Sequence, residues 1–386
     1  MTPPRLPRRD ALKALLSVWA AAPVIAAPRV ATGGVFTAHG EPPQGEPPQG
    51  PWRGPRSVTT AIGTGVAGFS PSQVNNPYGL AFGPDGWLCF CDLDNQRIRR
   101  LDVRTGRTET VAGTGRRGYG GDGGPATEAA LDMPHEVQFD AHGNLYIAER
   151  DNHVVRKVDA ATRRISTFAG TGVAGFSGDG GPASQAQLRA PHSIAVDPDR
   201  RSLLICDIGN HRIRRVMFAT GRIETIGGTG ERRPTTDGAP LRGTPLNGPR
   251  TFAFDARGDL YLALREGNAI YRVDATTARL HHVAGTGEQG YSGDGGPARV
   301  ARLGGPKGLA WGGGVLYVAD TENHVIRAID LGTGVIRTVL GTGTAGDGPE
   351  PDPRQCALAR PHGVLVDSQG VVYVGDSEAH RIRALR

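Results

Sequence analysis

Pro191-His192-Ser193-Ile194-Ala195-Val196-Asp197 opens a motif that continues with Leu204-Ile205-Cys206-Asp207 and closes with Asn210-His211-Arg212-Ile213-Arg214-Arg215. Related motifs occur six times in the 386-residue chain. Their opening prolines are Pro77, Pro134, Pro191, Pro249, Pro306 and Pro361, and subtracting neighbouring numbers gives steps of 57, 57, 58, 57 and 55 residues. A period this regular predicts one supersecondary unit that is repeated around or along an axis.

Each repeat is predicted to form four short antiparallel strands. In the second repeat these strands are expected at residues 136–139, 145–148, 153–158 and 164–169. β-branched residues at alternate positions, with Gly, Asp and Asn at the joints, are typical of such strands. The 58 glycines and 29 prolines fit the many turns that connect them. Four strands repeated radially form the blade of a β-propeller.

The two ends of the repeat region predict how the ring closes. The sixth repeat supplies three strands before Arg386, whereas Ser57-Val58-Thr59-Thr60-Ala61-Ile62 resembles the fourth strand of the other repeats. We therefore predict an all-β, six-bladed β-propeller of four-stranded antiparallel blades, whose last blade is closed by the N-terminal strand. Closure of this kind leaves no exposed sheet edge.

Residues 1–27 resemble a twin-arginine signal peptide. Arg8-Arg9-Asp10-Ala11-Leu12-Lys13 precedes an apolar run that is too short to span a bilayer comfortably. The alternative is an uncleaved signal anchor. Residues 28–56 are predicted to be a Pro/Gly-rich linker, and residues 57–386 the propeller. We expect an exported protein of the periplasm, cell envelope or extracellular space, with no integral membrane span in the mature chain.

Charge argues against a nucleic-acid partner, and cysteine content argues against a cysteine-bound metal. The formal net charge is +6, and residues 1–27 carry four basic residues against one acidic residue, so the rest of the chain carries 6 − 3 = +3. That charge is too small to predict a nucleic-acid partner. The four cysteines form no CxxC pair and no metal-binding spacing, so we expect buried, unpaired thiols. We expect a monomer.

The repeats resemble the NHL repeat family. The resemblance rests on Leu145-Tyr146-Ile147-Ala148, on Asn210-His211-Arg212-Ile213-Arg214, and on the Pro-x-Gly-Leu-Ala openings at Pro77 and Pro306. It covers all six units, from residue 57 onward. Members of that family are mostly binding propellers, with a few enzymes among them, so the resemblance implies the fold without choosing a function.

A set of acidic, histidine and arginine residues recurs in five of the six repeats and is predicted to be structural, because a turn is needed in every blade. The second strand ends with Asp92, Glu149, Asp207, Asp320 and Asp376, with Leu264 in the fourth repeat. Four residues after the acid come Gln96, His153, His211, His324 and His380, and in the fourth repeat this position is assigned to Ala269. Arg99, Arg156, Arg214, Arg272, Arg327 and Arg383 on the third strands are expected to pair with the acids.

Long glycine-rich loops separate the blades. Residues 118–125, 175–182 and 290–297 are near copies that contain Asp122, Asp179 and Asp294. Glycine-Asp-glycine turns can bind calcium through oxygen ligands, although one carboxylate per loop is few for that ion. The favoured alternative is a tight turn with an aromatic residue packed on the blade.

The residue after each opening proline differs from repeat to repeat, whereas a structural residue would be the same in most repeats. These positions begin the innermost strands on the face that carries the long loops, so they are expected to ring a solvent-filled channel mouth. The six candidate ligand-binding residues are Tyr78, His135, His192, Arg250, Lys307 and His362. No catalytic residue is identified among them, and an anionic group of the ligand is expected to be held by Arg250, Lys307 and the histidines at the mouth.

Three of these candidates, His135, His192 and His362, are also a candidate metal site, since zinc accepts three imidazoles and a water. Similarity to the peptide-amidating lyase of this propeller class implies zinc-binding histidines from Pro-His openings on alternate blades. His135 and His362 match, but the third such position is Arg250, which cannot coordinate metal.

We therefore predict a binding module for a protein, peptide or envelope glycan on the long-loop face. The alternative is a metal-dependent lyase or hydrolase, with zinc or calcium at the channel mouth.

Overall fold

The computed structural model describes Gly54 and residues 57–386. The predicted signal peptide and all of the predicted linker except Gly54 lie outside the described residues. The described chain contains 24 strands, which form six four-stranded antiparallel sheets. Each sheet is one blade, and the innermost strands of neighbouring blades contact one another around a closed ring. The predicted six-bladed propeller is confirmed.

The strand bounds follow the repeats. Blade 1 contains β2 (Pro77–Phe82), β3 (Leu88–Asp92), β4 (Arg97–Leu101) and β5 (Thr108–Ala112). Blade 2 contains β6 (Pro134–Phe139), β7 (Leu145–Glu149), β8 (Val154–Val158) and β9 (Ile165–Ala169). Blade 3 contains β10 (Pro191–Val196), β11 (Ser202–Asp207), β12 (Arg212–Met217) and β13 (Ile223–Gly227). Blade 4 contains β14 (Pro249–Phe254), β15 (Leu260–Leu264), β16 (Ala269–Val273) and β17 (Leu280–Ala284).

Blade 5 contains β18 (Gly308–Gly312), β19 (Val315–Asp320), β20 (Val325–Asp330) and β21 (Ile336–Leu340). Blade 6 contains β22 (Pro361–Val366), β23 (Val372–Asp376), β24 (Arg381–Leu385) and β1 (Val58–Ile62). The described 3-10 helices are Leu93–Asn95, Ala126–Glu128, Ala183–Gln185, Ile208–Asn210, Ala298–Val300 and Thr321–Asn323. The connections from each outer strand to the next inner strand, residues 63–76, 113–133, 170–190, 228–248, 285–307 and 341–360, are the long loops.

Blade 6 is assembled from both parts of the chain, as predicted. β1 lies antiparallel to β24, with Val58 opposite Leu385 and Thr60 opposite Arg383. The strand order is β1-β24-β23-β22, so β1 supplies the outer strand that the sixth repeat lacks. The backbone amides of β1 thereby cover an edge that would otherwise accept another chain.

The hydrophobic core lies between blades. One cluster joins Leu88 and Phe90 of blade 1 to Tyr373 and Ile382 of blade 6. Such clusters bury both faces of each sheet, which explains why the second strands are apolar up to their last residue, as in Leu88–Asp92 and Leu145–Glu149. Cys89, Cys91, Cys206 and Cys356 are buried and free, as expected.

Hydrogen bonds to the side chain of a left-handed turn residue link every blade to the next. The side chain of this residue accepts the backbone N–H of the residue before the next opening proline, as in His153 Nδ1 with Ala190 (3.1 Å). The six accepting residues are Gln96, His153, His211, Asn268, His324 and His380. All six have positive φ, between 43° and 56°. The recurrent set is therefore structural, as predicted.

Two assignments in the fourth repeat were wrong by one position. Asn268, not Ala269, makes the inter-blade bond, because its amide oxygen reaches Gly305 N at 2.9 Å. Tyr271, not Arg272, occupies the place of the blade arginines, and its hydroxyl donates to Thr235 O at 2.8 Å. Arg272 points instead to the outer Asp259. A neutral Leu264–Tyr271 combination thus replaces the charged pair of the other blades.

Candidate functional site

The six residues that follow the opening prolines do not form a solvent-filled mouth. His135, His192, Arg250, Lys307 and His362 are all buried, and only Tyr78 is partly exposed. The expectation of exposed side chains was wrong because the inner strands approach one another closely at this end. A Cβ added to Gly308 or Gly363 would clash with the backbone of the neighbouring inner strand. The positions therefore form a packed layer that closes the channel toward the long loops.

Aromatic contacts hold much of this layer together. The ring of Tyr78 stacks on His362, with centroids 3.9 Å apart, and meets His135 edge-on at 4.9 Å. His135 in turn meets His192 edge-on at 4.7 Å. The four rings thus form one continuous row across blades 6, 1, 2 and 3. Contacts of this geometry stabilise beyond the area that they bury.

The three histidines are neutral. Nδ1 of His135 lies 2.9 Å from Met133 O, Nδ1 of His192 lies 2.9 Å from Ala190 O, and Nδ1 of His362 lies 2.8 Å from Arg360 O. Because a carbonyl only accepts, Nδ1 carries the proton and Nε2 is left as an acceptor. Burial lowers the pKa of all three well below its usual value. The charge of Arg250 adds to this for His135 and His192, and that of Lys307 for His362.

Lys307 has a counterion. Its Nζ lies 2.6 Å from Oε1 of Glu322, which also accepts from Arg360 Nη2 at 2.9 Å. Burial lowers the pKa of Lys307 to about 8, although Glu322 opposes the change. Burial would raise the pKa of Glu322, but the hydrogen bonds from Arg360 and Lys307 lower it to about 2. The ammonium of Lys307 is therefore neutralised within its own blade and is not free for a ligand.

Arg250 is different. It is 3% exposed, yet it makes no hydrogen bond or ion pair with any described residue, and its Nε has no partner. Arg156, Arg214 and Arg327 also leave Nε unbonded, but each of them meets two carboxylates through its other nitrogens. Burial lowers the pKa of Arg250, while the nearby charge of Glu136 acts in the opposite direction.

A cavity of about 200 Å³ lies along the axis, lined by residues of the inner strands that include Arg250. Its polar wall comes from the second residue after the opening proline in blades 2, 3 and 4. Oε2 of Glu136 accepts from Ser193 Oγ at 2.9 Å, and that hydroxyl lies 3.3 Å from Oγ1 of Thr251. Burial raises the pKa of Glu136 to about 7, although Ser193 and Arg250 favour the ionised form.

Sequence reasoning missed this polar wall, although a signal for it was present. The second positions after the prolines read Gly79, Glu136, Ser193, Thr251, Gly308 and Gly363, and they break the repeat as the first positions do. The three glycines belong to blades 1, 5 and 6, where the strands approach too closely for a Cβ. The cavity is therefore polar on the side of blades 2 to 4.

The cavity is closed toward the long loops and less covered at the opposite end. Its lining there includes Gln138, Trp311 and Leu365, which are partly exposed, near the ends of the inner strands. The route from solvent into the cavity therefore starts at the face opposite the long loops.

The loop aspartates Asp122, Asp179 and Asp294 form ion pairs with blade arginines. They bind Arg156, Arg214 (2.9 Å) and Arg327 (2.6 Å), respectively. Asp122 also accepts from the backbone N–H of Thr167 in the outer strand at 3.0 Å. These contacts fasten each loop to the blade that follows it. The calcium interpretation gains no support, and the favoured turn with a packed aromatic fits the 5.3 Å between Tyr119 and the Arg156 guanidinium.

The histidine set is not arranged as a metal site. Within residues 57–386, no three His, Cys, Asp or Glu side chains are close enough together to hold a metal ion. His135 and His192 are neighbours, but His362 lies across Tyr78 from them. Metal content stays a prediction that only measurement tests.

Comparisons with known proteins agree with the repeat structure. Residues 126–217 match the teneurin NHL domain, and residues 358–385 match the NHL repeat. NHL repeat-containing protein 2 of Gallus gallus is 24% identical over 77% of this chain and 44% of that protein. Protein SUPPRESSOR OF QUENCHING 1, chloroplastic, of Arabidopsis thaliana is 28% identical over 76% of this chain and 28% of that protein. The chain thus spans less than half the length of these curated relatives.

Solved structures show the same fold at low sequence identity. An auxiliary nutrient binding protein of Bacteroides ovatus gives a TM-score of 0.62 at 16% identity, over 86% of this chain and 77% of that one. A gluconolactonase of Xanthomonas campestris gives 0.54 at 14% identity, over 88% and 98%. From residue 57 onward, no helix has the length and hydropathy that a membrane span needs. The residues that match the two NHL models lie in blades 2, 3 and 6 of the ring and in the long loops that lead into them.

Proposed function

We propose that the protein is an exported binding module that docks a protein or peptide on its long-loop face. The observation that carries this proposal is the position of the exposed large hydrophobic residues. Eight such residues occur in the described chain, and seven of them lie in the long loops: Val66, Phe69, Tyr119, Val173, Phe176, Tyr291 and Val300. Concentration of exposed apolar side chains on one set of loops is typical of an interaction surface.

The aromatic members of this surface are held in place by the blades. The Phe69 ring lies 3.9 Å from the guanidinium of Arg97, and the Phe176 ring lies 3.8 Å from that of Arg212. Cation–π contacts of this kind hold a ring while one side of it stays in water. A partner therefore meets a rigid surface and loses little conformational entropy from it on binding.

A protein or peptide fits this surface better than the glycan alternative. Sugar rings stack on aromatic faces, but three of the seven exposed residues are valines, which offer no such face. Aliphatic side chains gain most from contact with another apolar surface. A similarly folded structure is described as an auxiliary nutrient binding protein, and at 16% identity this likeness supports the fold alone.

Site-specific photo-crosslinking tests the docking face. A photo-reactive amino acid replaces Val173, which is 58% exposed in a long loop, or Val103, which is 40% exposed outside the long loops and serves as the matched control. We expect a discrete adduct in intact cells from position 173 and none from position 103. Adducts of equal yield from both positions, or none from position 173, would contradict the proposal.

Export is tested separately. The paired arginines of the leader motivate it, so Arg8→Lys combined with Arg9→Lys is expected to leave folded protein in the cytoplasm. Arrival of the double variant in the envelope would rule out the twin-arginine route.

The metal-dependent lyase or hydrolase alternative is tested by elemental analysis of the purified protein. Near-stoichiometric zinc that is lost in His135→Ala and His362→Ala would favour it over the binding module.

A further inference from the structure

Arg250 carries a buried charge without a counterion. A buried arginine is normally paired with a carboxylate, because removing a charge from water costs several kcal/mol that only an opposite charge and hydrogen bonds offset. The blade arginines obey this rule, whereas Arg250 bonds to none of the described residues. The cost of burying it is unexplained by the fold.

The surroundings do not neutralise Arg250. The histidines beside it are neutral, and the ammonium of Lys307 is bound to Glu322. Glu136 is the carboxyl group whose charge most favours the protonated form of Arg250, but it accepts a hydrogen bond from Ser193 and none from the guanidinium. The cavity is therefore lined by one cation without a paired carboxylate, Arg250, and by a carboxyl group that bonds elsewhere, with space of about 200 Å³ between its walls.

We propose that the axial cavity is a binding site for a small carboxylate, which the guanidinium of Arg250 holds while the hydroxyls of Ser193 and Thr251 bond to its other polar atoms. A guanidinium matches a carboxylate through two parallel N–H···O bonds, which gives both strength and orientation. The ligand enters from the face of Gln138 and Trp311. This site is separate from the long-loop docking face, so either can fail without the other.

A thermal and calorimetric comparison tests the site in the full-length protein. The variants are Arg250→Gln, Arg250→Lys and, as the matched control, Arg327→Gln, which removes a buried arginine that has partners. The probes are acetate, pyruvate and glycine, with acetamide as the neutral isostere and inorganic phosphate as the other anion. All buffers are free of carboxylates before the probe is added.

We expect at least one carboxylate probe to bind the native protein saturably and to raise its Tm. Its affinity should fall at least about tenfold in Arg250→Gln and less in Arg250→Lys, which keeps the charge but loses the fork. Acetamide should not bind. In probe-free buffer Arg250→Gln should melt at or above the native Tm, because it removes an uncompensated charge, whereas Arg327→Gln should melt well below it.

Four results would overturn the proposal. The first is a loss of Tm in Arg250→Gln as large as in Arg327→Gln, since Arg250 would then be a structural residue. The second is equal stabilisation of the native protein and Arg250→Gln by the carboxylates, which is a general salt effect. The third is binding of phosphate alone. The fourth is failure of all three carboxylate probes to bind.

Discussion

The buried arginines of the blades and the buried arginine of the channel obey different rules. Arg99, Arg156, Arg214, Arg327 and Arg383 occupy equivalent places on the third strands, and each bonds to the acid that ends the second strand. Arg250 occurs once, at the start of an inner strand, and bonds to nothing described. The arginines that repeat around the ring are paired with carboxylates of their own blades, whereas the arginine that occurs once has no partner among the described residues.

The acids that pair with the blade arginines also bind the backbone. Each accepts the N–H of the residue two places before its opening proline, as Glu149 does from Asp132 at 2.9 Å. The turn residue of the preceding blade accepts the next N–H, as Gln96 does from Met133 at 2.9 Å. The two residues before the proline are thus held from both sides, which fixes where the inner strand starts. The repeated charges are therefore part of the framework that positions the channel.

Removal of the closing strand should have the largest effect on this framework. Deletion of residues 1–63 removes β1 and exposes the edge of β24. It also removes the buried Val58 side chain from the hydrophobic core between blades 5 and 6. We expect aggregation or loss of cooperative thermal unfolding. Deletion of residues 1–50 is the control and should leave the Tm unchanged. Equal melting temperatures for the two truncations would refute the shared blade.

Breaking one blade pair should have the next largest effect. Arg327→Gln leaves Asp320 buried without its charge partner and also releases Asp294 of the loop. We expect a loss of about 3 to 5 kcal/mol in the free energy of unfolding, measured by urea denaturation. Arg104→Gln, at an exposed pair with Asp102, should change it by less than about 1 kcal/mol. Similar losses in the free energy of unfolding from both substitutions would contradict the idea that the buried blade pairs stabilise the fold more than surface pairs do.

The carboxyl group of the channel should give a smaller, pH-dependent effect. Burial raises the pKa of Glu136 from 4.5 to about 7, so the folded protein binds this proton more tightly than the unfolded chain does. Its contribution to stability is therefore present below pH 4.5 and is lost as the pH rises toward 7. The groups that act on it are the Ser193 hydroxyl, the charge of Arg250 and the backbone N–H of Val137, and Gly79 of the neighbouring inner strand lies beside its Oε1.

Glu136→Gln should remove this slope. Relative to the native protein, the variant should gain about 1 to 3 kcal/mol in the free energy of unfolding between pH 4.5 and pH 8. Urea denaturation at several pH values measures the difference. Parallel stability curves for the two proteins would show that Glu136 titrates normally.

The inter-blade bonds should give the smallest effect, and blade 4 shows how to isolate it. His324→Ala removes the acceptor for Arg360 N and should cost about 1 to 2 kcal/mol, because that N–H loses its partner. His324→Asn copies Asn268, which makes the same bond from the same left-handed conformation. It should recover most of the loss in thermal denaturation. No difference between the two variants would mean that the bond contributes nothing.

The repeat explains why the fold was predictable. Strand number, blade number and the closing strand all follow from a period that recurs six times, and the structure confirms them. The errors fall in the fourth repeat, where residue types depart from the pattern but the spacing does not. In the other five repeats the turn residue and the blade arginine stand four and seven places after the last residue of the second strand, and the same spacing from Leu264 gives Asn268 and Tyr271. Pairing of Asp122 with Arg156 was missed for another reason, because it joins a loop to a strand 34 residues away.

The candidate site was only partly predictable. Breaks in the repeat singled out the positions after the prolines, and the structure brings them into one layer. Their burial could not be predicted, because it depends on how closely Gly308 and Gly363 let the inner strands approach. The role of Arg250 depends on the absence of a bond, which no pattern of residue types reveals.

The closing strand has a consequence for the timing of synthesis. Thr60 of β1 and Arg383 of β24 are 323 residues apart, so β1 leaves the ribosome about 15 to 60 s before its partner at common elongation rates. During that interval blades 1 to 5 can form in order, while β1 waits with both edges unpaired. A closed ring therefore exists only after β24 has left the ribosome.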